Sequence, residues 1–519
     1  MKKSCLLLGM LLALPTVGAM TSCGKEPDPP GIKIQFWHCL GHDKTRELQK
    51  VVKIFNEKYY GQYWVKAENK GGDYNALHTT IMTKLTNGEM PALAMGYPDS
   101  FSEYLGLEMK DRFLLNVDDF INDEEIGYSQ EEIDDFIEPF FKEGQGYQIK
   151  GTWSMPMYKS TEVMFYNAHY MYGDNAQNDK KFGKNTTYKE LKAAVQNNSD
   201  IPTSKKKDAK MSDLEALKAW LEDNDGYTYD LPTTWDEAWE VSAQIRADRE
   251  AEGIKDDGFF PIGYDSDANL LISQFEQAGI DYTTNKNTTW GMDHVLFNND
   301  DAKALALDFY RHMNGKYMGE EANLKYMVTK GSNNDTYTND LFGEGKLVMS
   351  IGSTGGSSYQ INENFKVLIA DVPCQADDSG NPIKKYIQQG PSICFFDNFD
   401  DEIHTGAWLF YKEMADPENN LKLALENSYD PVRNSSFETQ YYADWIAKAD
   451  EGLKYAVPAK TKDLRQYYFT SPVFIGSGEC RTQMGYIFKY LQQTKTIDAA
   501  FDTAIGFVES KAKPQRPKN

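Results

Sequence analysis

The chain has 519 residues, a length that allows two or three domain-sized units with sizeable cores. Its formal net charge of -23 argues against nucleic-acid binding and against direct adhesion to anionic lipid. Aromatic residues make up 13% of the chain, with 32 Tyr, which fits both ordinary cores and surfaces that stack on sugar rings.

The N-terminal segment is typical of an export signal followed by a spacer. Two lysines precede the apolar run 5–14, which is too short to span a membrane, and small residues lead to Ser22-Cys23. This pair resembles the lipobox of bacterial lipoproteins, whose cysteine is acylated. We therefore predict a lipoprotein signal peptide at 1–22, lipidation of Cys23 and a Pro-rich linker at 23–31, with simple secretion as the alternative. Since no other apolar run could cross a bilayer, the lipid is the only predicted membrane contact.

Strands and helices alternate in the next part of the chain, an order typical of a mostly parallel α/β sheet with helices on both faces. The predicted strands are 32–37, 64–68 and 91–97, with a helix at 74–87. Ligands of such sheets bind at the carboxyl ends of the strands. The predicted ends are residues 37–38, 70–74 and 97–99.

A polar quartet, residues 159–162 (Lys-Ser-Thr-Glu), interrupts two apolar runs within 155–167. Hydrogen-bonding side chains are costly to bury. We therefore interpret this stretch as a strand that leaves one lobe, crosses a cleft that its polar side chains line, and enters another lobe. A hairpin loop between two ordinary strands is the alternative.

The middle of the chain contains one polar stretch and one glycine-rich loop. Residues 171–230 are rich in Lys, Asp and Asn and predict a surface insertion. A buried strand within 342–351 ends in the loop 352–358, which consists of glycines and hydroxyl residues. Backbone N–H groups at the start of a predicted helix suit an anion or a sugar hydroxyl. The loop matches neither a Walker loop nor a dinucleotide fingerprint.

Metal binding is poorly supported by the sequence. His38, Cys39 and His42 have roughly zinc-like spacing, but no fourth ligand is evident nearby. The acidic stretch 118–138 does not follow the spacing of a calcium-binding loop. We therefore predict no metal and no cofactor. We also leave four cysteines unpaired: Cys39, Cys374, Cys394 and Cys480.

Short motifs that follow one another in order carry a family resemblance. They are Phe36-Trp37-His38, Asn56-Glu57-Lys58, Gly71-Gly72-Asp73-Tyr74, Asn87-Gly88-Glu89-Met90-Pro91-Ala92, Ser160-Thr161-Glu162-Val163-Met164-Phe165-Tyr166-Asn167, Thr234-Trp235-Asp236-Glu237, Phe342-Gly343-Glu344-Gly345-Lys346, Gly390-Pro391-Ser392 and Tyr429-Asp430-Pro431-Val432-Arg433. Over residues 32–506 the chain resembles the family 1 extracellular solute-binding proteins of bacterial ABC importers, the group of maltose-binding and glycerol-3-phosphate-binding proteins.

The resemblance implies an α/β, two-lobe periplasmic-binding-protein type II fold with three hinge crossings and an interlobe ligand cleft. The implied crossings are near 157–163, 374–388 and 427–432. The implied lobes are 32–157 plus 388–427 and 158–387 plus 428–510, with 171–230 as an insertion of the second lobe and 511–519 as a basic tail.

The glycerol-3-phosphate-binding pattern within this family implies a set of ligand contacts. They are Tyr74, Asp99, Ser160, Ser353 or Ser357, Gly390, Tyr429 and Arg481. An arginine fork suits a phosphate, and tyrosine and serine hydroxyls suit a hydroxylated solute. Two departures leave the ligand open, because Asp99 replaces a glutamate and 265–269 lacks the tryptophan of the pattern. A neutral sugar is compatible, and Arg481 could equally hold a structural carboxylate.

The resemblance implies a non-catalytic, monomeric receptor that is anchored by lipid on the outer face of a bacterial membrane. It would deliver a sugar, oligosaccharide or polyol phosphate to ABC permease subunits. One alternative is an adhesin built on the same fold. Another is a glycoside hydrolase that uses Asp99 and Glu162 as facing carboxylates, although nothing in the sequence indicates a raised pKa at Glu162.

Overall fold

The computed structural model describes most of the chain. The described residues are 28–106, 113–171, 229–251, 253–254, 258–286, 291–313, 324–361 and 365–511. The predicted signal peptide, Cys23, nearly all of the predicted insertion at 171–230 and most of the basic tail lie outside these ranges. No helix within them is both long and apolar enough to cross a membrane.

Strands and helices follow one another along the described chain. The strands are β1 (Ile32–His38), β2 (Tyr63–Asn69), β3 (Leu93–Gly96), β4 (Met155–Pro156), β5 (Glu162–Asn167), β6 (Phe260–Tyr264), β7 (Met327–Thr329), β8 (Leu347–Ser353), β9 (Val367–Ala370), β10 (Tyr386–Ile387), β11 (Ser392–Phe395) and β12 (Tyr468–Phe469). Short 3-10 helices are at His42–Lys44, Met292–His294, Thr354–Gln360, Ser435–Glu438, Ala449–Glu451 and Arg465–Tyr467.

The helices are distributed over the whole described chain. They are α1 (Arg46–Lys58), α2 (Tyr74–Thr86), α3 (Pro98–Leu105), α4 (Asp118–Ile121), α5 (Gln130–Asp135), α6 (Glu138–Glu143), α7 (Ala168–Met171), α8 (Trp235–Ala251), α9 (Asp267–Ala278), α10 (Asp300–Arg311), α11 (Asn339–Gly343), α12 (Asp401–Met414), α13 (Pro417–Glu426), α14 (Gln440–Ile446), α15 (Leu453–Leu464), α16 (Ser477–Met484), α17 (Ile487–Thr494) and α18 (Ile497–Lys511).

Local sequence signals explain several helix starts. The Asp73 side chain accepts a hydrogen bond from the Ala76 N–H at 2.8 Å and caps α2. Ser129 and Glu132 form a reciprocal capping box at the start of α5. These polar contacts satisfy backbone N–H groups that the first helical turn leaves free.

The described strands form two five-stranded sheets and one two-stranded pair, β10 with β12. The first sheet has the order β2–β1–β3–β11–β4, in which β1 is parallel to β2 and β3, whereas β11 is antiparallel to β3 and β4. The second has the order β7–β6–β8–β5–β9, in which β6 is parallel to β7 and β8, whereas β5 is antiparallel to β8 and β9. The mixed α/β class predicted from the sequence is confirmed.

Each large sheet carries its own hydrophobic core. Phe36, Phe55 and Trp408 are buried in the core of the first sheet. Trp235 and Phe309 are buried in the core of the second. Apolar burial is therefore divided between two centres, with a boundary between them.

The chain passes between the two sheets in strands that lie side by side. Residues 157–161 connect β4 of the first sheet to β5 of the second. In this stretch Lys159 pairs through its backbone with Asp430, and Ser160 pairs with Gln389. The first predicted crossing is thus hydrogen-bonded to Asp430 in the third predicted crossing and to Gln389 next to the second.

The quartet at 159–162 is buried, with side chains that are 0–3% exposed. The Lys159 ammonium contacts the Glu143 carboxylate, and the Thr161 hydroxyl donates to the main-chain oxygen of Ile387 at 2.9 Å. The expectation that these side chains line a cleft is therefore wrong for Lys159, Thr161 and Glu162. Partners within the protein bind these three side chains and offset the cost of their burial.

Helix α16 and the segment that precedes it join the two units. The helix packs against α9 of the second core and against α3 of the first. Ahead of it, the Ser102 hydroxyl donates to the main-chain oxygen of Phe474 at 2.9 Å. These contacts place the N-terminal part of α16 at the boundary between the sheets.

Replacing Lys159 with alanine is expected to destabilise the fold strongly. The change leaves the Glu143 side chain, which is 8% exposed, without its charged partner. Breaking a buried ion pair in this way costs ~3 to 5 kcal/mol in the free energy of unfolding, which urea denaturation measures.

The matched control is Lys142→Ala on α6, the helix that also carries Glu143, which removes an ion pair between Lys142 and Glu138 whose side chains are 66% and 73% exposed. This control should cost less than ~1 kcal/mol. A loss for Lys159→Ala as small as that of the control would contradict the structural role given to the buried pair.

Candidate functional site

Arg481 lies on α16, where groups from both sheets approach one another. Its guanidinium donates to the amide oxygen of Asn269 in the first turn of α9. It also acts electrostatically on Tyr97 and Asp99, which follow β3 of the first sheet, and on Glu162 at the start of β5 in the second. Arg481 therefore connects the two units at their boundary.

Glu162 is 3% exposed, and both of its carboxylate oxygens are occupied. The Tyr264 hydroxyl donates to Oε2 at 2.6 Å, and the Asn269 amide donates to Oε1 at 2.6 Å. Burial raises the pKa of Glu162 to about 7, although these two hydrogen bonds and Arg481 act to lower it. This raised pKa was not predictable from the sequence, because its cause is tertiary burial.

Asp99 lies in the first turn of α3, beside Arg481. Burial raises the pKa of Asp99, whereas Arg481 opposes that rise because its positive charge stabilises the charged form. The structure therefore brings together two of the residues that the family pattern implied, one carboxylate and one guanidinium.

Four tyrosines gather next to this charged group: Tyr74, Tyr97, Tyr158 and Tyr429. The ring centroids of Tyr74 and Tyr97 are 4.6 Å apart, and those of Tyr158 and Tyr429 are 4.3 Å apart. Burial raises the pKa of Tyr429 to about 12, so its hydroxyl stays protonated at neutral pH. Since Tyr97 neighbours both Tyr74 and Arg481, it links the aromatic cluster to the charged one.

The predicted glycine loop 352–358 consists of the end of β8 and most of the 3-10 helix Thr354–Gln360, which follows the strand directly. Ser353 at the strand end is partly exposed, whereas Ser357 is buried. A Cβ atom at Gly355 would come within 2.4 Å of the Tyr429 hydroxyl oxygen, so a larger residue there would have to displace the tyrosine ring. The loop therefore lies in direct contact with the tyrosine cluster.

Lys44 is a site residue that the sequence analysis missed. Its ammonium donates to the main-chain oxygen of Gly355 at 2.8 Å, which joins the loop after β1 to the glycine loop after β8. Burial lowers the pKa of Lys44. The available signal was position alone, because Lys44 ends the loop at the carboxyl end of a predicted strand.

Ser160 and Gly390 lie on the hydrogen-bonded crossing strands. Ser160 is 1% exposed and exchanges two backbone hydrogen bonds with Gln389, at 2.9 and 2.7 Å. Gly390 has a φ of 92°, and a Cβ there would be 2.7 Å from the Tyr158 main-chain oxygen. Glycine is therefore required by conformation and by space, and its peptide lies next to the tyrosine cluster.

Asn269 and two of the tyrosines also escaped the sequence-based list of contacts. Asn269 falls in the segment 265–269, which attracted notice only because it lacks an aromatic residue. Tyr97 and Tyr158 stand two positions before Asp99 and Ser160, which were on the list. Side-chain direction, which sequence spacing does not determine, separates these residues from their neighbours.

The proposed hydrolase pair and metal cluster are not supported by the geometry. Both carboxylate oxygens of Glu162 already accept hydrogen bonds, from Tyr264 and Asn269. Burial lowers the pKa of His38 to about 4, and its Nδ1 accepts from the Leu40 N–H at 3.2 Å. Within the described ranges, no three metal-binding side chains come together, and the four cysteines are buried free thiols.

Several solved structures share the fold of this chain. The GacH receptor of Streptomyces glaucescens, solved unliganded and with acarbose, matches with a TM-score of 0.59 and 14% identity over 94% of this chain and 100% of that chain. UgpB from Mycobacterium tuberculosis with glycerophosphocholine matches with a TM-score of 0.61 and 14% identity over 93% and 98%. The maltose/maltodextrin-binding domain MalE from Bdellovibrio bacteriovorus bound to maltotriose matches with a TM-score of 0.57 and 14% identity over 92% and 99%.

These likenesses confirm the predicted periplasmic-binding-protein fold. No match was found among curated protein sequences. The model of the bacterial extracellular solute-binding proteins matches residues 50–450, which is most of the chain. Members of that family bind solutes and are not enzymes, so the hydrolase alternative is removed. The chain belongs to the bacterial extracellular solute-binding protein family.

Proposed function

We propose that this protein is the receptor of a bacterial ABC importer and that it captures a hydroxylated solute at the boundary between its two units. The observation that carries the proposal is that Arg481 and Asp99 lie together beside the tyrosine cluster, which Tyr97 links to Arg481. Hydroxyl groups and aromatic faces suit the ring and hydroxyls of a sugar, and a guanidinium suits an anionic group. The solute is accordingly a carbohydrate or a glycerol-3-phosphate-like molecule.

The structural neighbours support both chemistries. GacH and MalE were solved with acarbose and with maltotriose, which are oligosaccharide-like and rich in hydroxyls. UgpB was solved with glycerophosphocholine, which contains a phosphate. A site that combines tyrosines with one arginine and one aspartate is compatible with either kind of solute.

Capture is proposed to close two lobes, residues 32–157 plus 388–427 and residues 158–387 plus 428–510, by rotation about the three crossings. The hydrogen bond from Lys44 to Gly355 joins the two lobes at the tyrosine cluster and favours the closed arrangement. A bound solute would add contacts of the same kind, since it would bridge the same surfaces.

Delivery requires the protein to remain close to its permease. Acylation of Cys23 would hold a monomeric receptor on the outer face of the membrane, with the linker 23–31 as a spacer. The negative charge of the chain agrees with contact through the lipid alone. No cofactor takes part in this proposal.

Calorimetric titration of the body that starts at residue 31 tests the proposed ligand class. Glycerol-3-phosphate and maltotriose serve as the anionic and neutral probes. If the anionic probe binds, Arg481→Ala should weaken it by ~1.5 to 3 kcal/mol, the scale of a charged hydrogen bond. Arg46→Ala, at a side chain that is 66% exposed, is the control and should leave the affinity unchanged.

The outcomes of this titration separate the two solute classes. Binding of glycerol-3-phosphate alone, lost in Arg481→Ala, supports a polyol phosphate. Binding of maltotriose alone supports a carbohydrate and makes the role of Arg481 structural. If glycerol-3-phosphate binds parent and Arg481→Ala equally, the assignment of Arg481 is wrong.

Lys44→Met tests the proposed closing contact. The variant keeps the side-chain length but removes the hydrogen bond to Gly355, so the ligand-free protein should be more open. Small-angle X-ray scattering should then show a larger radius of gyration than for the parent. Lys50→Met, at a side chain that is 63% exposed on α1, is the control. Scattering identical to that of the parent would contradict a closing role for Lys44.

A further inference from the structure

A chain of buried hydrogen bonds runs behind Arg481. The guanidinium donates to Asn269 Oδ1, the Asn269 amide donates to Glu162 Oε1, and the Tyr264 hydroxyl donates to Glu162 Oε2. Glu162 and Asn269 are 3% and 2% exposed, so neither side chain meets solvent appreciably. The proposed capture of a solute uses Arg481 but gives no role to these buried hydrogen bonds.

The chemistry of the hydrogen-bonded groups fixes the orientation of the Asn269 amide. An ionised carboxylate only accepts hydrogen bonds, and a guanidinium only donates them. The amide of Asn269 must therefore present its NH₂ group to Glu162 and its oxygen to Arg481. Arg481 and Glu162 thus require the same orientation of the Asn269 amide, and the carboxylate contacts the guanidinium only through that amide.

We propose that Glu162 is a positioning residue for Arg481 and that its charge state sets how strongly Arg481 attracts the anionic group of a solute. This inference rests on the proposed function, in which Arg481 receives that group. The ligand class concerned is a solute with a phosphate monoester. A neutral oligosaccharide would be insensitive to the charge of Glu162.

The charges around Arg481 give the direction of the effect. Asp99 approaches the guanidinium from α3, and Glu162 approaches it from β5 through Asn269. The charge of Asp265, which follows β6, also raises the pKa of Glu162. Tyr264 on β6 is neutral and donates a hydrogen bond to Glu162. With Asp99 and Glu162 both ionised, two carboxylates compete with the solute for one cation. Protonation of Glu162 leaves one competitor, so an anion binds more tightly.

The remaining neighbours of Glu162 do not change this direction. Ser353 lies opposite Glu162 on β8 and carries no charge. Cys374 faces Tyr264, and burial raises the pKa of that thiol, so it stays neutral. Because burial also moves the pKa of Glu162 to about 7, its protonation changes within the range in which binding is measurable.

The test compares Glu162→Gln with the parent in titrations of glycerol-3-phosphate at about pH 5.5 and about pH 8.5. Glutamine reproduces the neutral carboxyl, because its oxygen accepts from Asn269 and its NH₂ group donates to the Tyr264 hydroxyl. Near pH 8.5 the variant should bind about three- to tenfold more tightly than the parent, and near pH 5.5 the two should agree within about twofold. The probe itself titrates in this range, but the ratio of variant to parent at each pH removes that contribution.

Two controls accompany the titration. Asp267→Asn changes another buried carboxylate at the start of α9, which accepts from the Thr329 hydroxyl at 2.6 Å and from the Gly331 N–H at 2.8 Å. It should leave the ratio of variant to parent affinity unchanged at both pH values, because Asp267 takes no part in the hydrogen bonds behind Arg481. If maltotriose binds, its affinity should not differ between Glu162→Gln and the parent.

Thermal unfolding gives a measurement that needs no ligand. The folded pKa of Glu162, about 7, exceeds its ordinary value of 4.5, so its contribution to stability is full below about pH 4.5 and declines as the pH rises through 7. Glu162→Gln lacks this decline. Its Tm should exceed that of the parent near pH 8.5, and the excess should disappear toward pH 4.5.

The outcomes separate this inference from the function on which it rests. If the anionic probe binds and is lost in Arg481→Ala, yet the ratio for Glu162→Gln does not change with pH, only the role of Glu162 is overturned. If Arg481→Ala binds as the parent does, or no anionic probe binds, the assignment of Arg481 fails and the inference fails with it. Should Glu162→Gln not fold, Tyr264→Phe replaces it; loss of a donor raises the pKa of Glu162, and the pH at which affinity falls should move upward.

Discussion

The structure depends on one constraint: a polar segment of the polypeptide has to cross from one hydrophobic core to the other. Lys159 on the first crossing has no exposed side-chain surface, yet it carries an ammonium group. Glu143 from α6 and Ser392 from β11 receive that group, and the backbone of Asp430 pairs with the same residue. The cost of burying a charge is met only if these segments stay together. The hydrogen bonds of the crossing therefore set the relative position of the strands that connect the two sheets.

The boundary that results from this arrangement has a mixed chemistry. Tyrosine rings that pack against the core of the first sheet meet the glycine loop at the end of β8 in the second, and Arg481 adds a positive charge next to Asp99. Such a surface offers hydrogen bonds to a neutral sugar and a guanidinium to an anion. Both kinds of solute are found in solved structures that share this fold, which were determined with acarbose, maltotriose and glycerophosphocholine.

Local patterns were sufficient to predict much of the fold. The strands β1, β2 and β3 and the helix α2 agree with the sequence periodicity to within a few residues, because apolar spacing reports which face is buried. The two-residue strands β10 and β12 escaped prediction, since they depend on a partner far away in the chain.

The site was only partly readable from the sequence. The proximity of Asp99 and Arg481 followed from family resemblance, because nothing local connects residues so far apart. The roles of Asn269 and Lys44, and the raised pKa of Glu162, depend on side-chain direction and on burial. The polar quartet was misjudged for a related reason, since partners from remote segments made its burial affordable.

The contact between Gly355 and Tyr429 limits how the proposed binding surface is able to diversify. The tyrosine oxygen occupies the place that any side chain at position 355 would need. A larger residue there would have to displace the ring, and the ring packs on the buried Tyr158 of the crossing. Descendants of this protein that acquire a different solute should therefore keep the glycine and the tyrosine as a pair. They should vary the charged residues around Arg481 instead.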